Sequence, residues 1–358
     1  MKTVVVYDLL VGRGGAERVV LALAKAFNAD IWTTTYIPDA IYPDYSSFKI
    51  FPHPLKSFPL SSSLKPMNLL WQGLIQTEAT FKFRKMELSS YDLIISAGMC
   101  AKQVAMRDKN HPCIHYEHGV KESYRLEWLF KMWAWYMKKV DYEATRKADL
   151  LVCNSENIRG KIEKYYHRDA EVVYPPVDIK RFKFEDPEDY FLSVQRISPD
   201  KGIETQLEAF RMVPQQKLLI IGSPQEGHIA YYQNLIRIAS QNVTFLGALS
   251  DEEVSGLYSR SKAAIQTNPN EDFGIVPVEA MASGKPCIAV NAGGYRETIV
   301  HGKTGILVDI PYPENLAQAI KEFNSFDFDP NVCVERAKLF SEEMFIERMR
   351  RIEVQCRR

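Results

Sequence analysis

Short apolar runs alternate with amphipathic helical patterns along the whole chain, and this alternation limits the fold more than any other feature of the sequence. Strands that alternate with helices form parallel sheets covered by helices. The predicted strands of the first half are residues 3–7, 30–34, 93–96, 113–116, 150–154 and 171–174. Those of the second half are residues 190–194, 217–221, 243–246, 263–266, 287–290 and 305–308. Helices are predicted to begin near Gly15, near Leu126 and after Ser155, and the chain is predicted to end in a largely helical tail.

The Tyr-Pro-Pro-Val-Asp segment at residues 174–178 interrupts this pattern. Adjacent prolines fit neither a helix nor a central strand, so the segment suits a linker between domains. A chain of 358 residues is long enough for two domains of ordinary size. We therefore predict one doubly wound domain over residues 1–177 and another over residues 178–340. In the second domain, Ser250 and Glu253 form a capping box that begins a helix.

The bulk composition excludes several classes of protein. Lys plus Arg and Asp plus Glu both number 45, so net charge does not favour nucleic acid as the main partner. The six cysteines have no paired short spacing, and most lie in apolar segments. This favours buried thiols in a reducing compartment over a disulfide framework or a zinc site. The start of the chain, residues 1–8, puts a charge too early for the apolar region of a signal peptide, and no apolar run has the length of a membrane span. We expect a cytoplasmic protein, either soluble or attached to a surface.

The segment from Asn270 to Pro286 carries the strongest functional pattern. It places Glu271 in a loop and Glu279 on the helix that follows, with Pro277 suited to the first helical turn. Gly284 supplies a left-handed stop, and Gly274 lets a ligand approach the backbone. A helix N-terminus attracts phosphate, whereas two carboxylates bind hydroxyl groups. The pattern therefore predicts a site for a nucleotide sugar.

The glycine-rich segment Gly12-Arg13-Gly14-Gly15 follows the first strand and opens a helix. Such a turn permits close approach of an anion to the backbone. A dinucleotide-binding fingerprint would require a glycine where this chain has Glu17, which weakens that alternative. A plain connection between strand and helix is about as consistent with the segment taken alone.

Arg196 and Lys201 follow the first strand of the second domain, at the edge where α/β sheets bind ligands. Two cations there suit a departing diphosphate, since each charge-assisted hydrogen bond contributes about 1.5–3 kcal/mol. The alternative is a solvated basic loop.

His115 and His118 lie at the end of a strand in the first domain. Strand alternation points them to opposite faces, so we expect at most one to be functional, and His118 is the candidate. A second glycine-rich turn, Gly293-Gly294, follows a strand of the second domain. Its glycines suit either close approach to a ligand or to the other domain, or a plain turn.

Two segments of the first domain combine aromatic and basic residues. Residues 124–139 carry too many large apolar side chains for one buried helical stripe, and residues 81–85 read Phe-Lys-Phe-Arg-Lys. Aromatic side chains with neighbouring lysines are typical of a membrane surface. For residues 124–139, a core helix with an amphipathic rim is the alternative.

Taken together, these motifs resemble those of the retaining glycosyltransferases of family four, which have the GT-B fold, and the resemblance covers essentially the whole chain. The motifs that carry it are Gly14-Gly15, Arg196 and Lys201 with Gly202, the pair Glu271 and Glu279, and Gly293-Gly294 with Glu297. Tyr116-Glu117-His118, residues 173–178 and Glu271-Asp272-Phe273-Gly274 are most similar to the mannosyltransferase branch, which builds surface polysaccharides and lipid-linked glycans. This chain has Gly119 and Val120 where that branch more usually has threonine and proline.

The resemblance implies a role for each motif. Arg196 and Lys201 would hold the diphosphate, Glu279 the ribose hydroxyls and Glu271 the hydroxyls of the donor sugar. The backbone of Phe273, Gly274 and Ile275 would lie against sugar and phosphate. From the other domain, Gly14 and Gly15 would approach the phosphates and His118 would contact the transferred sugar.

The resemblance also implies two Rossmann-like domains that face a cleft, with a C-terminal helix at about residues 341–358 crossing back to the first, acceptor-side domain. The implied reaction transfers mannose from GDP-mannose to a lipid-linked or glycan acceptor, with neither cofactor nor metal. A peripheral contact with the cytoplasmic face of a membrane through residues 81–85 and 124–139 would suit such an acceptor. Three alternatives remain: another donor such as a UDP-sugar, a nucleotide-sugar epimerase, and a non-catalytic nucleotide-sugar-binding subunit.

Overall fold

The computed structural model describes residues 1–56, 68–106, 111–120, 131–224, 227–309 and 312–356. The chain forms two compact units. The N-terminal unit comprises Met1–Pro176 and Phe345–Arg358, and the C-terminal unit comprises Val177–Met344. The division between Pro176 and Val177 lies one residue before the predicted boundary.

The N-terminal unit contains a parallel sheet of seven strands in the order β3-β2-β1-β4-β5-β6-β7. Its strands are β1 Thr3–Leu10, β2 Asp30–Tyr36, β3 Ile50–Pro52, β4 Leu93–Ser96, β5 Cys113–Glu117, β6 Leu150–Cys153 and β7 Glu171–Val172. Its helices are α1 Gly15–Phe27, α2 Asn68–Arg84, α3 Lys131–Lys147 and α4 Glu156–Tyr166. The Ser155 hydroxyl accepts a hydrogen bond from the Ile158 N–H, which confirms the predicted start of α4. The predicted helix start near Leu126 lies outside the described residues.

Helices cover both faces of this sheet, and β1 shows why. Val5 and Tyr7 belong to the apolar cluster that includes α1, whereas Val4 and Val6 belong to the cluster on the opposite face that includes Phe83. Because successive side chains of a strand point to opposite faces, a central parallel strand is apolar throughout. The cluster on the α1 side also contains side chains of the last helix, α12 Glu342–Cys356, namely Phe345, Met349 and Ile352.

The C-terminal unit contains a parallel sheet of six strands in the order β10-β9-β8-β11-β12-β13. Its strands are β8 Phe191–Val194, β9 Leu218–Ile221, β10 Val243–Gly247, β11 Ala264–Gln266, β12 Cys287–Val290 and β13 Gly305–Val308. Its helices are α5 Ile203–Arg211, α6 Ile229–Ile238, α7 Asp251–Arg260, α8 Ile275–Ala282, α9 Tyr295–Thr298, α10 Pro313–Glu322 and α11 Pro330–Lys338. Ser250 and Glu253 form the predicted capping box at the start of α7.

Strand order locates the ligand-binding edge of each sheet. Ligands of doubly wound sheets bind beyond the carboxyl ends of the strands, at the point where the strand order reverses. In the C-terminal unit the reversal lies between β8 and β11, and in the N-terminal unit between β1 and β4. The segments that follow these four strands are therefore those expected to carry chemistry.

Two further predictions are tested by the structure. All six cysteines are free thiols and five are buried, as predicted. No described helix combines the length and apolarity that crossing a bilayer requires.

Candidate functional site

The C-terminal unit places the glutamate segment at the reversal point, between β11 and β12. Gly274 has a φ of +89° and precedes α8, whose first residue is Ile275 and whose third is Pro277. A side chain at position 274 would come within 2.8 Å of the Tyr295 ring, so packing also requires glycine there. Gly284, with a φ of +70°, follows the helix as predicted.

The Gly293-Gly294 turn supports the loop that carries Glu271. The Gly294 N–H donates to the Glu271 carbonyl at 2.9 Å. A Cβ atom at Gly293 would lie 2.3 Å from the same carbonyl oxygen, and one at Gly294 would lie 2.3 Å from the Cα of Phe273. The turn therefore packs against the backbone of a loop in its own unit, and Phe273 itself is buried.

Lys201 and Glu271 form an ion pair at the carboxyl edge of the sheet. The Lys201 Nζ lies 2.9 Å from Glu271 Oε2, which also accepts from the Asn268 side-chain amide at 3.2 Å. Lys201 ends a short 3₁₀ turn after β8, and Gly202, with a φ of +66°, lies against Thr267. The pair keeps both charged groups at the reversal point.

Arg196 lies two residues beyond the end of β8, at the carboxyl edge of the sheet. Its side chain is exposed, and within the described part of the chain it pairs with neither glutamate. Its charge nevertheless acts locally. Burial raises the pKa of the Asp200 carboxyl, but a hydrogen bond from Ser198 and the charges of Lys201 and Arg196 outweigh it and bring that pKa below its ordinary value.

Glu279 is buried on α8 and is held by two residues that sequence reasoning missed. Arg181 Nη2 donates to its Oε1 at 3.1 Å, and the Tyr258 hydroxyl donates to its Oε2 at 3.1 Å. Arg181 also pairs with Asp251 at 3.3 Å. Burial raises the pKa of Tyr258, and the charge of Glu279 raises it further. Arg181 follows an exposed lysine in a short turn after the linker, so its sequence context gave no signal.

In the N-terminal unit, Gly14 and Gly15 open α1 after the end of β1. Both are half-exposed. A Cβ atom at Gly14 would lie 2.5 Å from Glu17 Oε2, and the other oxygen of Glu17 accepts from the Tyr7 hydroxyl at 3.1 Å. Glu17 thus fills the place where a dinucleotide fingerprint has its last glycine, and it belongs to the support of this loop.

The two histidines have different environments, on opposite sides of the strand end. His115 is buried, with its ring nitrogens 2.9 Å from Ser96 Oγ and 3.2 Å from Glu117 Oε2. His118 is half-buried, its Nε2 lies 3.2 Å from the Ala97 carbonyl, and its ring packs against Tyr116. Burial lowers the pKa of His118 to about 4, so its imidazole is neutral near pH 7.

Two ionisable groups of this unit, half-buried Asp8 and buried Lys102, were also missed. The Asp8 carboxylate, on β1, accepts from the N–H groups of Cys100 and Ala101 at 2.6–3.1 Å. Burial is the main influence on its pKa, which lies above the ordinary value. Lys102 is buried against Glu117 at 2.6 Å and Asp141 at 2.9 Å. Both groups depend on residues far apart in sequence.

The aromatic and basic segments divide between core and surface. Phe83 is fully buried, and Arg84 donates to the Gln103 side chain, so residues 81–85 are in part core. On α3, Met137 and Val140 are buried, whereas Met132 and Trp135 are 82% and 66% exposed. Residues 124–130 lie outside the described residues.

The chain matches two sequence families in succession. Residues 13–181 match "Glycosyltransferase Family 4", and residues 176–340 match "Glycosyl transferases group 1". The chain belongs to glycosyltransferase family four. It is similar to the human alpha-1,3/1,6-mannosyltransferase ALG2, at 26% identity over 87% of this chain and 85% of that protein. It is also similar to D-inositol 3-phosphate glycosyltransferase of Mycolicibacterium gilvum, at 28% identity over 56% of this chain and 50% of that protein.

Solved structures share its architecture. The Anabaena protein HepE, crystallised with UDP, has a TM-score of 0.75 at 18% identity and covers 99% of this chain and 100% of its own. The apo galactosyltransferase WaaB has a TM-score of 0.71 at 19% identity, with 98% of each chain covered. The predicted GT-B fold is thereby confirmed, with two parallel Rossmann-like sheets.

Among the described residues, no group of three or more His, Cys, Asp or Glu side chains is arranged to hold a metal ion. That the protein uses neither a metal nor a cofactor stays a prediction.

Proposed function

We propose that this family-four glycosyltransferase transfers mannose from GDP-mannose to a lipid-linked or glycan acceptor, with retention of anomeric configuration. The observation that carries the proposal is the Lys201–Glu271 ion pair at the reversal point of the C-terminal sheet, with buried Glu279 on the helix that follows. It supplies a cation for phosphate and carboxylates for hydroxyl groups. Similarity to the mannosyltransferase ALG2 over most of both chains supports mannose as the sugar.

The proposed reaction proceeds on one face of the donor sugar. The bond from the anomeric carbon to the diphosphate oxygen breaks, and the acceptor oxygen bonds to that carbon. The acceptor's proton passes to the leaving phosphate oxygen, so no protein base is needed. Lys201 and Arg196 stabilise the charge that develops on the diphosphate, which is the type of interaction that contributes most to catalysis.

The remaining residues position the two substrates. Glu279 accepts from the ribose hydroxyls and Glu271 from those of the sugar, while the backbone from Phe273 to Ile275 lies along sugar and phosphate. In the N-terminal unit, Gly14 and Gly15 approach the phosphates, and neutral His118 contacts the transferred sugar.

The test is an incubation of the protein with GDP-mannose and a panel of UDP-sugars, with hydrolysis and transfer measured separately. Turnover of GDP-mannose alone supports the proposal, and turnover of a UDP-sugar alone assigns another donor. An epimer formed without acceptor would indicate an epimerase. Donor binding without turnover over a broad acceptor panel would indicate a non-catalytic subunit.

We also propose that the protein attaches peripherally to the cytoplasmic face of a membrane through the exposed side of α3. Met132, Trp135 and Tyr136 are exposed there beside Lys131 and Lys139. Large apolar side chains enter the interface while lysines meet anionic headgroups. Trp135→Ser should reduce sedimentation with vesicles containing phosphatidylglycerol, whereas Ile229→Ser, at an exposed apolar position of the other unit, should not. Equal sedimentation of both variants would contradict this contact.

A further inference from the structure

The N-terminal unit contains a cavity of about 230 Å³ beside the end of β5. Glu117, the last residue of β5, and Gly119 and Val120 after it form part of the wall, as does Met99 beyond β4. The cavity therefore lies at the carboxyl edge of the sheet, where α/β folds bind ligands. Its volume is below the roughly 300–1,000 Å³ of sites for drug-sized ligands, so it suits a single ring.

The polar side of this cavity is a fixed network. Lys102 pairs with Glu117 at 2.6 Å and with Asp141 at 2.9 Å, and the Tyr166 hydroxyl donates to the other oxygen of Asp141 at 2.6 Å. A buried ion pair is weak evidence for a role in stability, because desolvation offsets much of the attraction. Here the network fixes the orientation of Asp141, whose side chain is 21% exposed. Each carboxylate oxygen can still accept a further hydrogen bond.

The formal charges of the side chains that line the cavity indicate a neutral ligand. Among the described residues of the wall, two lysines, Lys102 and Lys138, face two carboxylates, Glu117 and Asp141, so these formal charges cancel. A site for a phosphate would have an excess of cationic side chains, and a site for an amine would have an excess of anionic ones. The rest of the wall includes half-buried Tyr142 and Tyr165. A cation lies over one face of each ring, Arg146 over Tyr142 at 5.6 Å and Lys164 over Tyr165 at 5.1 Å, which leaves the opposite face for a ligand. Aromatic faces beside a fixed carboxylate suit a neutral, hydroxyl-rich ring.

We propose that this cavity binds a neutral sugar ring of the acceptor glycan, an assignment to the acceptor that rests on the proposed function. The ring is not the one that receives mannose. The His118 side chain packs with Tyr116, whereas Glu117 points to Lys102, so cavity and His118 ring lie on opposite sides of the chain at residues 117–119. The cavity therefore holds a more distant sugar and contributes binding energy remote from the reacting hydroxyl.

The test is saturation-transfer-difference NMR on the full chain without any donor, using the methyl α-pyranosides of mannose, glucose, galactose and N-acetylglucosamine. At least one should bind, and Tyr165→Ala should weaken that binding by about tenfold or more, which corresponds to a single lost contact. Tyr165→Phe should retain most of it because the ring face remains. Asp141→Asn should weaken it as well. Tyr312→Ala, at an exposed tyrosine of the C-terminal unit, is the matched control.

Three outcomes would overturn the proposal: no pyranoside binds the wild-type protein, Tyr165→Ala binds as the wild type does, or inorganic phosphate displaces the pyranoside. Circular dichroism establishes that each variant is folded before its result is used. Because no donor is present, failure of the proposed function is measured separately, as absence of nucleotide-sugar turnover by the wild-type protein.

Discussion

Lys201 is the residue whose replacement tests the proposed chemistry most directly. Lys201→Ala removes the cation paired with Glu271 and leaves a carboxylate facing the phosphates. We expect kcat to fall by roughly 10²–10³, as when one group that stabilises a transition state is removed. Steady-state kinetics with the identified donor measure the effect. Unchanged turnover together with unchanged nucleotide affinity would contradict the role given to Lys201.

Arg181 positions Glu279 and is predicted to act on donor binding. Arg181→Gln leaves a buried carboxylate with one donor fewer, which should raise the KM for the donor by about tenfold and lower the melting temperature, with kcat affected less. Neighbouring Lys180 provides the control, because it forms an exposed pair with Glu343. If Lys180→Gln and Arg181→Gln give the same KM, the positioning role is wrong.

The lowered pKa of His118 predicts how stability depends on pH. As pH falls from about 6.5 toward 4, the unfolded chain takes up a proton that folded His118 resists, so the free energy of unfolding decreases over that window. Above about pH 6.5 the contribution is complete. Urea unfolding should show a smaller loss between about pH 7 and pH 5 for His118→Gln than for the wild type. Parallel losses in the two proteins would place the titration elsewhere.

Among elements, the turn after β12 governs the loop that carries Glu271. Gly294→Ala forces a Cβ atom onto the backbone of Phe273, so the loop must shift. We expect kcat/KM to fall by about 10² or more, because displacement of a positioning element by about 1 Å has that effect. Gly160→Ala is the control: its Cβ would meet open space inside α4, and alanine favours a helix by about 0.5–1 kcal/mol. Equal activity of both variants would show that the turn does not shape the site.

The order and type of most elements could be predicted, because parallel strands and capped helices have local signatures. Segments 287–290 and 305–308 were predicted with their observed bounds. β3 was missed because its three residues include Pro52 and it lies at the sheet edge.

Contacts between residues that are far apart in the sequence could not be predicted, because they leave no local signal in the sequence. Arg181 meets Glu279 across 98 residues, and Asp8 meets the backbone of Ala101 across 93. The contact of Arg196 with the same donor as Lys201 and the two glutamates stays a prediction.

On the scale of the whole molecule, we expect donor binding to draw the two units together. The proposal assigns phosphate contacts to Gly14 and Gly15 of one unit and to Lys201 of the other, joined through Pro175 and Pro176. Small-angle scattering should therefore show a smaller radius of gyration with nucleotide sugar than without it. Superimposable profiles at saturating ligand would contradict closure. Lys201→Ala lacks one of the proposed phosphate contacts, so it should require a higher donor concentration for the same change.

The position of α12 in the chain determines the order in which the two units can complete their folding during synthesis. Phe345, Met349 and Ile352 complete the apolar cluster of the N-terminal unit, yet the ribosome makes them only after the entire C-terminal unit. During translation the apolar cluster of the N-terminal unit therefore remains incomplete until α12 is synthesised. The C-terminal unit, by contrast, folds from one continuous segment of the chain. The N-terminal unit is therefore synthesised first but completed last, when α12 packs into its apolar cluster.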